Sequence, residues 1–137
     1  MKLYVLPPSP RAFKVIALKN YLALDCEMQL VDLGKGDQLA PEYIAMNPNR
    51  KMPVLEDDGF VLWESNAILF YLASKKPESA LWPPDAKRQA DVLRWLAWES
   101  AHWDSEACGR RIREGFQDCT RIGSGGTGLC GARGAEF

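Results

Sequence analysis

Residues 52–65 read M-P-V-L-E-D-D-G-F-V-L-W-E-S, and no other stretch of the chain narrows its fold as much. Two short apolar runs flank D-D-G, a turn signal, so residues 53–56 are expected to pair with 60–63 as a hairpin. Ser65 then stands where a helix begins, and Ile68, Leu69 and Leu72 give that helix an apolar face to about Lys75. The proline at the head of the first run fits an edge strand, the one place in a sheet where a missing N–H costs nothing.

The segment before this hairpin has a different rhythm. Lys2 to Leu6 alternates and is rich in strand formers, and P-P-S-P breaks it. Ser9 followed by Pro10 is a helix-start pair, with serine at the N-cap and proline in the first helical position. Val15, Leu18 and Leu22 carry a helix to about Leu24, and residues 27–33 read as a second strand. A strand, a helix and a strand this close predict a right-handed βαβ unit. G-K-G-D-Q is a loop, and a short helix over 41–45 ends before N-P-N. After the second half, K-K-P-E-S-A-L-W-P-P is a connector, and a helix is expected over 86–103 with Leu93, Leu96, Ala97 and Ala101 on one stripe. The order βαβ, ββα, linker, helix is that of an α/β thioredoxin-like domain followed by a helical one.

Charge and composition remove several classes of function. The formal net charge is -1 over 137 residues, which offers no electrostatic footprint for nucleic acid or an anionic membrane. No run approaches the roughly 18 apolar residues of a membrane span, and the N-terminus is broken too early by proline for a signal peptide. A cytoplasmic protein is the default. Cys26, Cys108, Cys119 and Cys130 form no C-x-x-C, and His102 is the only histidine, so no metal site is expected.

Three stretches carry a resemblance to a known family: S-P-R-A-F-K-V, then P-E-Y-I-A-M-N-P-N-R-K-M-P-V-L, then F-V-L-W-E-S-N-A-I-L-F-Y-L. The segment from Lys2 to about Trp82 resembles the N-terminal domain of the glutathione S-transferase family, close to its serine-using classes (theta, phi and bacterial relatives). D-V-L-R-W-L-A-W-E-S-A-H-W is similar to the first helix of that family's C-terminal domain. The resemblance implies a thioredoxin-like glutathione-binding domain over 1–77, a linker over 78–84 and the opening helix of an all-α C-terminal domain over 85–104. It implies a transferase of the detoxifying kind, with glutathione as co-substrate and a small apolar electrophile as partner. A glutathione-binding remnant without transferase activity and a glutathione-dependent disulfide reductase are the alternatives. Members are usually homodimers, with much of the interface in the half for which this chain shows no counterpart.

The resemblance also assigns roles residue by residue. Pro53 would be cis, presenting the backbone N–H and C=O of Met52 to the cysteinyl backbone of glutathione as a short strand would. Glu64 and Ser65 would hold the γ-glutamyl end: Ser65 and its N–H the carboxylate, Glu64 the ammonium. A bare E-S pair reads otherwise as a solvated charge and a helix cap. Lys51 and Gln38 match positions near the glycyl carboxylate, or are ordinary polar surface. Ser9 lies six residues before Val15, the spacing of the family's catalytic hydroxyl. A hydroxyl donating to the sulfur, together with the positive end of the helix behind it, would lower a thiol pKa from ~8.5. Ser9 is equally an N-cap, worth ~1 kcal/mol to its helix. Tyr4, the nearest other hydroxyl, lies inside the first strand. Arg11 either orients the loop or is solvated. Trp95, Trp98 and Trp103 read as helix packing or as part of an electrophile surface.

The chain changes character at about Ser105. The last 33 residues hold eight of the 11 glycines, three of the four cysteines and no lysine. G-S-G-G-T-G lacks the lysine and hydroxyl of a phosphate loop. The expectation is a disordered tail read in a shifted frame, since R-E-G-F-Q shifts, with codons chosen freely, to an E-K-V-F like that of some bacterial relatives. With the second domain truncated in this way, the stripe from Leu93 to Ala101 would be exposed.

Overall fold

The computed structural model describes residues 1–103. Met1–Leu96 form one compact unit, and a second begins at Ala97. In the first, four strands make one mixed sheet in the order β2-β1-β3-β4: β1 (Lys2–Val5), β2 (Glu27–Leu30), β3 (Val54–Asp57) and β4 (Phe60–Trp63). β1 pairs in parallel with β2 and antiparallel with β3, the register running Leu3 to Met28 and Leu3 to Leu55. Helix α1 (Pro10–Tyr21) makes the crossover, α2 (Pro41–Met46) leads into the hairpin, and α3 (Ser65–Ser74) leaves it. This is the thioredoxin-like βαβ-ββα arrangement that the sequence implies, followed by a further helix, α4 (Ala86–Trp98), as expected.

Alternation along β1 and β3 builds a core on each face of the sheet. Leu3, Val5 and Leu55 point to one side, where they meet Ala12 and Val15 of α1 and Ile68 and Leu72 of α3, all fully buried. Val54 faces the other side with Tyr43 of α2 and Val31. The apolar faces read for α1 and α3 are therefore the ones that pack. The hairpin turn is Asp58-Gly59, both at positive φ (48° and 83°), the primed turn that suits the twist of paired strands.

Several boundaries fall short of the sequence reading, for local reasons. α1 ends at Tyr21 rather than Leu24, because Ala23 takes φ 49° while its N–H and that of Leu24 turn back to the carbonyls of Asn20 and Lys19. β2 ends at Leu30 rather than residue 33: the Asp32 carboxylate takes the N–H groups of Gly34 and Lys35, and Asp37 takes that of Asp32. The hairpin's first strand starts at Val54, one residue after Pro53. Helix α4 is α-helical only to Trp98, and Glu99–Trp103 widen into a π-helical turn. No residue of α4 is buried, and Leu93 and Ala97 of the expected stripe are exposed. Trp95 and Trp98 are exposed as well. The tail from 105, with its disorder and frame readings, lies outside the described residues. Among the described residues no helix is long and apolar enough to cross a membrane.

Candidate functional site

The start of α1, the end of α2, the approach to β3 and the start of α3 converge on one cleft. It is lined by Arg11, Asn47, Lys51, Met52, Pro53, Glu64 and Ser65. Five of the seven residues singled out in the sequence thus lie together: Lys51, Met52, Pro53, Glu64 and Ser65.

The Met52–Pro53 bond is cis, as the resemblance implies, and Pro53 is buried. The β1–β3 ladder stops at the Tyr4–Val54 pair, two residues short of Met52. Neither backbone group of Met52 has a hydrogen-bond partner among the described residues. A strand end whose N–H and C=O are uncommitted can accept one more extended peptide.

What fixes Met52 there is a pair of props that sequence reasoning missed. The Lys51 carbonyl accepts from the Asn47 amide at 2.7 Å and from the Tyr43 hydroxyl at 2.9 Å. Asn47 is 2% exposed, and its Oδ1 also accepts the N–H of Asn49, closing the N-P-N turn. An asparagine before proline is a turn signal of just this kind. What it supports, however, appears only when α2 and the turn are brought together.

At the other wall, Glu64 rather than Ser65 occupies the N-cap, and Ser65 is the first helical residue. The expectation that Ser65 caps α3 is corrected accordingly. Glu64 has φ 73° and ψ 114°, a conformation that L-residues rarely take and that costs about 1–3 kcal/mol. Its placement leaves Ser65 only 4% exposed as a residue, yet lining the cleft, with no side-chain partner among the described residues. The N–H groups that open α3 and its partial positive charge suit a carboxylate. Glu64 is exposed and pairs with Arg11 at 3.8 Å, a contact from α1 to the α3 cap. Arg11 therefore lines the cleft beside Glu64.

Ser9 and Gln38 are not among the cleft-lining residues. Ser9 is the N-cap of α1 by position, but its hydroxyl makes no cap bond, and its backbone alone holds the turn. That hydroxyl, at a helix N-terminus and two residues before Arg11, remains available to another group. Tyr4 is not: its hydroxyl donates to Glu56 at 3.0 Å, and burial, followed by that bond, pushes its pKa up. Gln38 lies on a single 3-10 turn (Asp37–Leu39), and its Oε1 is buried without a hydrogen-bond partner among the described residues. Cys26 is buried beneath α1, and desolvation raises its pKa, the opposite of a reactive thiol.

The βαβ-ββα fold, with a cleft between an unpaired strand end and a helix start, defines a thioredoxin-like domain. The comparisons with known proteins agree. The model of the glutathione S-transferase N-terminal domain matches residues 1–74. Glutathione S-transferase D7 of Drosophila melanogaster is 39% identical over 101 residues, covering 72% of this chain and 45% of that protein. A diazinon-metabolizing glutathione S-transferase of the silkworm Bombyx mori aligns in space with a TM-score of 0.76 at 35% identity, over 80% of this chain and 55% of that one. Human glutathione transferase theta-2, solved in complex with glutathione, aligns with a TM-score of 0.68 at 32% identity, over 73% and 42%. The chain belongs to the glutathione S-transferase family. It spans about half the length of the relatives it matches.

Proposed function

We propose that the cleft binds glutathione and activates its thiol for attack on a small apolar electrophile. On this reading the γ-glutamyl carboxylate sits on the Ser65 hydroxyl and the first N–H groups of α3. Glu64 takes the ammonium, held in turn by Arg11. The cysteinyl backbone pairs with Met52 as an added strand, which points the thiol toward Ser9. Lys51 and Gln38 take the glycyl end. Gln38 Oε1 can only accept, so it suits a peptide N–H, leaving the glycyl carboxylate to the Gln38 amide and the Lys51 ammonium. The observation that carries the reading is the pairing, in one cleft, of unpartnered Met52 backbone with a helix N-terminus at Ser65. Support from kinship comes from theta-2, whose structure holds glutathione.

Residues 1–77 would carry this site, 78–84 the linker and 85–104 the opening helix of the second domain. The family's usual homodimer and a cytoplasmic setting belong to the same reading. The alternative reading is a glutathione-binding module without turnover. One pair of assays separates them. The proposal expects the purified chain to be retained on immobilised glutathione and to conjugate a generic aryl halide. Retention without conjugation supports the binding module, and failure to bind glutathione rejects both.

A further inference from the structure

We infer that Asn66 is a positioning residue that makes occupancy of the cleft and docking of α4, over residues 86–96, one coupled equilibrium. The inference rests on the glutathione reading above. Asn66 follows Ser65 directly, in the first turn of α3, and its side chain reaches two other helices. Its Oδ1 accepts from Lys14 Nζ on α1 at 2.6 Å. Its Nδ2 donates to the Leu96 carbonyl on α4 at 2.8 Å. The partners are of opposite type: an ammonium can only donate and a carbonyl can only accept. The amide therefore has one orientation that satisfies both, and turning it over would break both contacts.

The location gives this bond weight. α4 has no fully buried residue, Val92 and Leu96 being its half-buried apolar ones, so a directional hydrogen bond at Leu96 adds to its hold. The bond ends on the residue adjacent to Ser65, whose hydroxyl and N–H are the proposed seat of the γ-glutamyl carboxylate. A guest that orders the first turn of α3 also orders the Asn66 backbone, and with it the amide that holds Leu96. Conversely, an α4 held by that amide presents α3 already fixed. Coupling of this kind is reciprocal: whatever glutathione does for α4, α4 does for glutathione.

The variant that separates this from mere packing is Asn66→Asp. It keeps size and the acceptor for Lys14, and it replaces the donor to Leu96 with an oxygen that repels the carbonyl. Asn66→Ala serves as a second variant that brings no charge. Amide hydrogen exchange and a glutathione titration are run on each full-length chain. In the unaltered chain, saturating glutathione slows exchange over residues 86–96. In both variants those amides exchange faster without glutathione, β1 and β3 keep their protection, and glutathione no longer slows α4. Glutathione affinity falls about fivefold or more. Exchange over 86–96 unchanged by either substitution overturns the tether. Faster exchange with undiminished glutathione affinity overturns the coupling. An unaltered chain that does not bind glutathione rejects the proposed function, and the coupling with it, before any variant is compared.

Discussion

Replacing Ser9 by alanine should leave glutathione bound but return its thiol to the range of the free tripeptide. A free thiol titrates near ~8.5, so at pH 7 only ~3% is thiolate. A hydroxyl donated to the sulfur, at the positive end of α1, needs to lower that value by roughly two units to make the anion dominant. Removing it should cut the reactive fraction, and the conjugation rate at pH 7, by roughly 10- to 30-fold. Titrating the thiolate absorbance of bound glutathione in both proteins checks this. An unchanged thiol pKa rejects the role. The structure makes the comparison clean, because the Ser9 hydroxyl makes no cap bond to α1. The usual ~1 kcal/mol cost of losing a capping serine therefore does not apply, and the variant should unfold at nearly the same temperature.

The second large effect concerns Asp57, at the end of β3. It is 8% exposed, and its carboxylate accepts from Tyr71 and pairs with Lys75, both at 2.7 Å. Lys75 also lies 4.9 Å from the centre of the Tyr71 ring. The hydrogen bond from Lys75, then that from Tyr71, holds the Asp57 carboxyl below the usual carboxylate range, against the opposing pull of burial. The same pair holds the Lys75 ammonium above the ordinary lysine range. Linkage fixes the signs. Asp57 adds stability that is complete above ~3.9 and is lost as pH falls through its lower folded value. The Lys75 contribution is complete below ~10.4 and is lost as pH rises through its higher folded value. The domain should therefore hold a plateau between these limits. Asp57→Ala should lower the plateau by about 1–3 kcal/mol and flatten its acid edge. Denaturant unfolding across pH measures both. An acid edge equally steep in the variant would assign it to other carboxylates.

How much of this was legible in the sequence differs from residue to residue. The hairpin was, because D-D-G and the two apolar runs are local chemistry, and the turn at Asp58-Gly59 takes the form they demand. The apolar faces of α1 and α3 were, because a period of 3.6 needs no tertiary context. The cis bond at Pro53 was not readable from the residues, which fit a trans edge strand, and only the family resemblance implied it. The cap of α3 went the other way. Serine is the better cap by preference, yet Glu64 takes the place at positive φ and Ser65 is carried into the helix. Propensity lost there to the geometry of the cleft. The end of α1 was hidden because Ala23, not glycine, adopts the left-handed turn. Asn47 was visible as a turn residue, but its grip on the Lys51 carbonyl depends on Tyr43, four residues earlier on α2. Arg11 could be placed at a helix start, and its partner Glu64 lies 53 positions away, beyond any local pattern.

The central claim is that a tripeptide adds itself to the strand end at Met52 and rests its acidic tip on the start of α3. The direct measurement is a glutathione titration of the isotope-labelled chain, followed at every backbone amide. The account predicts saturable shifts concentrated at Met52, Glu64, Ser65 and Asn66, with β2 and the Asp58-Gly59 turn unmoved. Saturable binding whose shifts avoid Met52 and Ser65, or no binding at all, would contradict it.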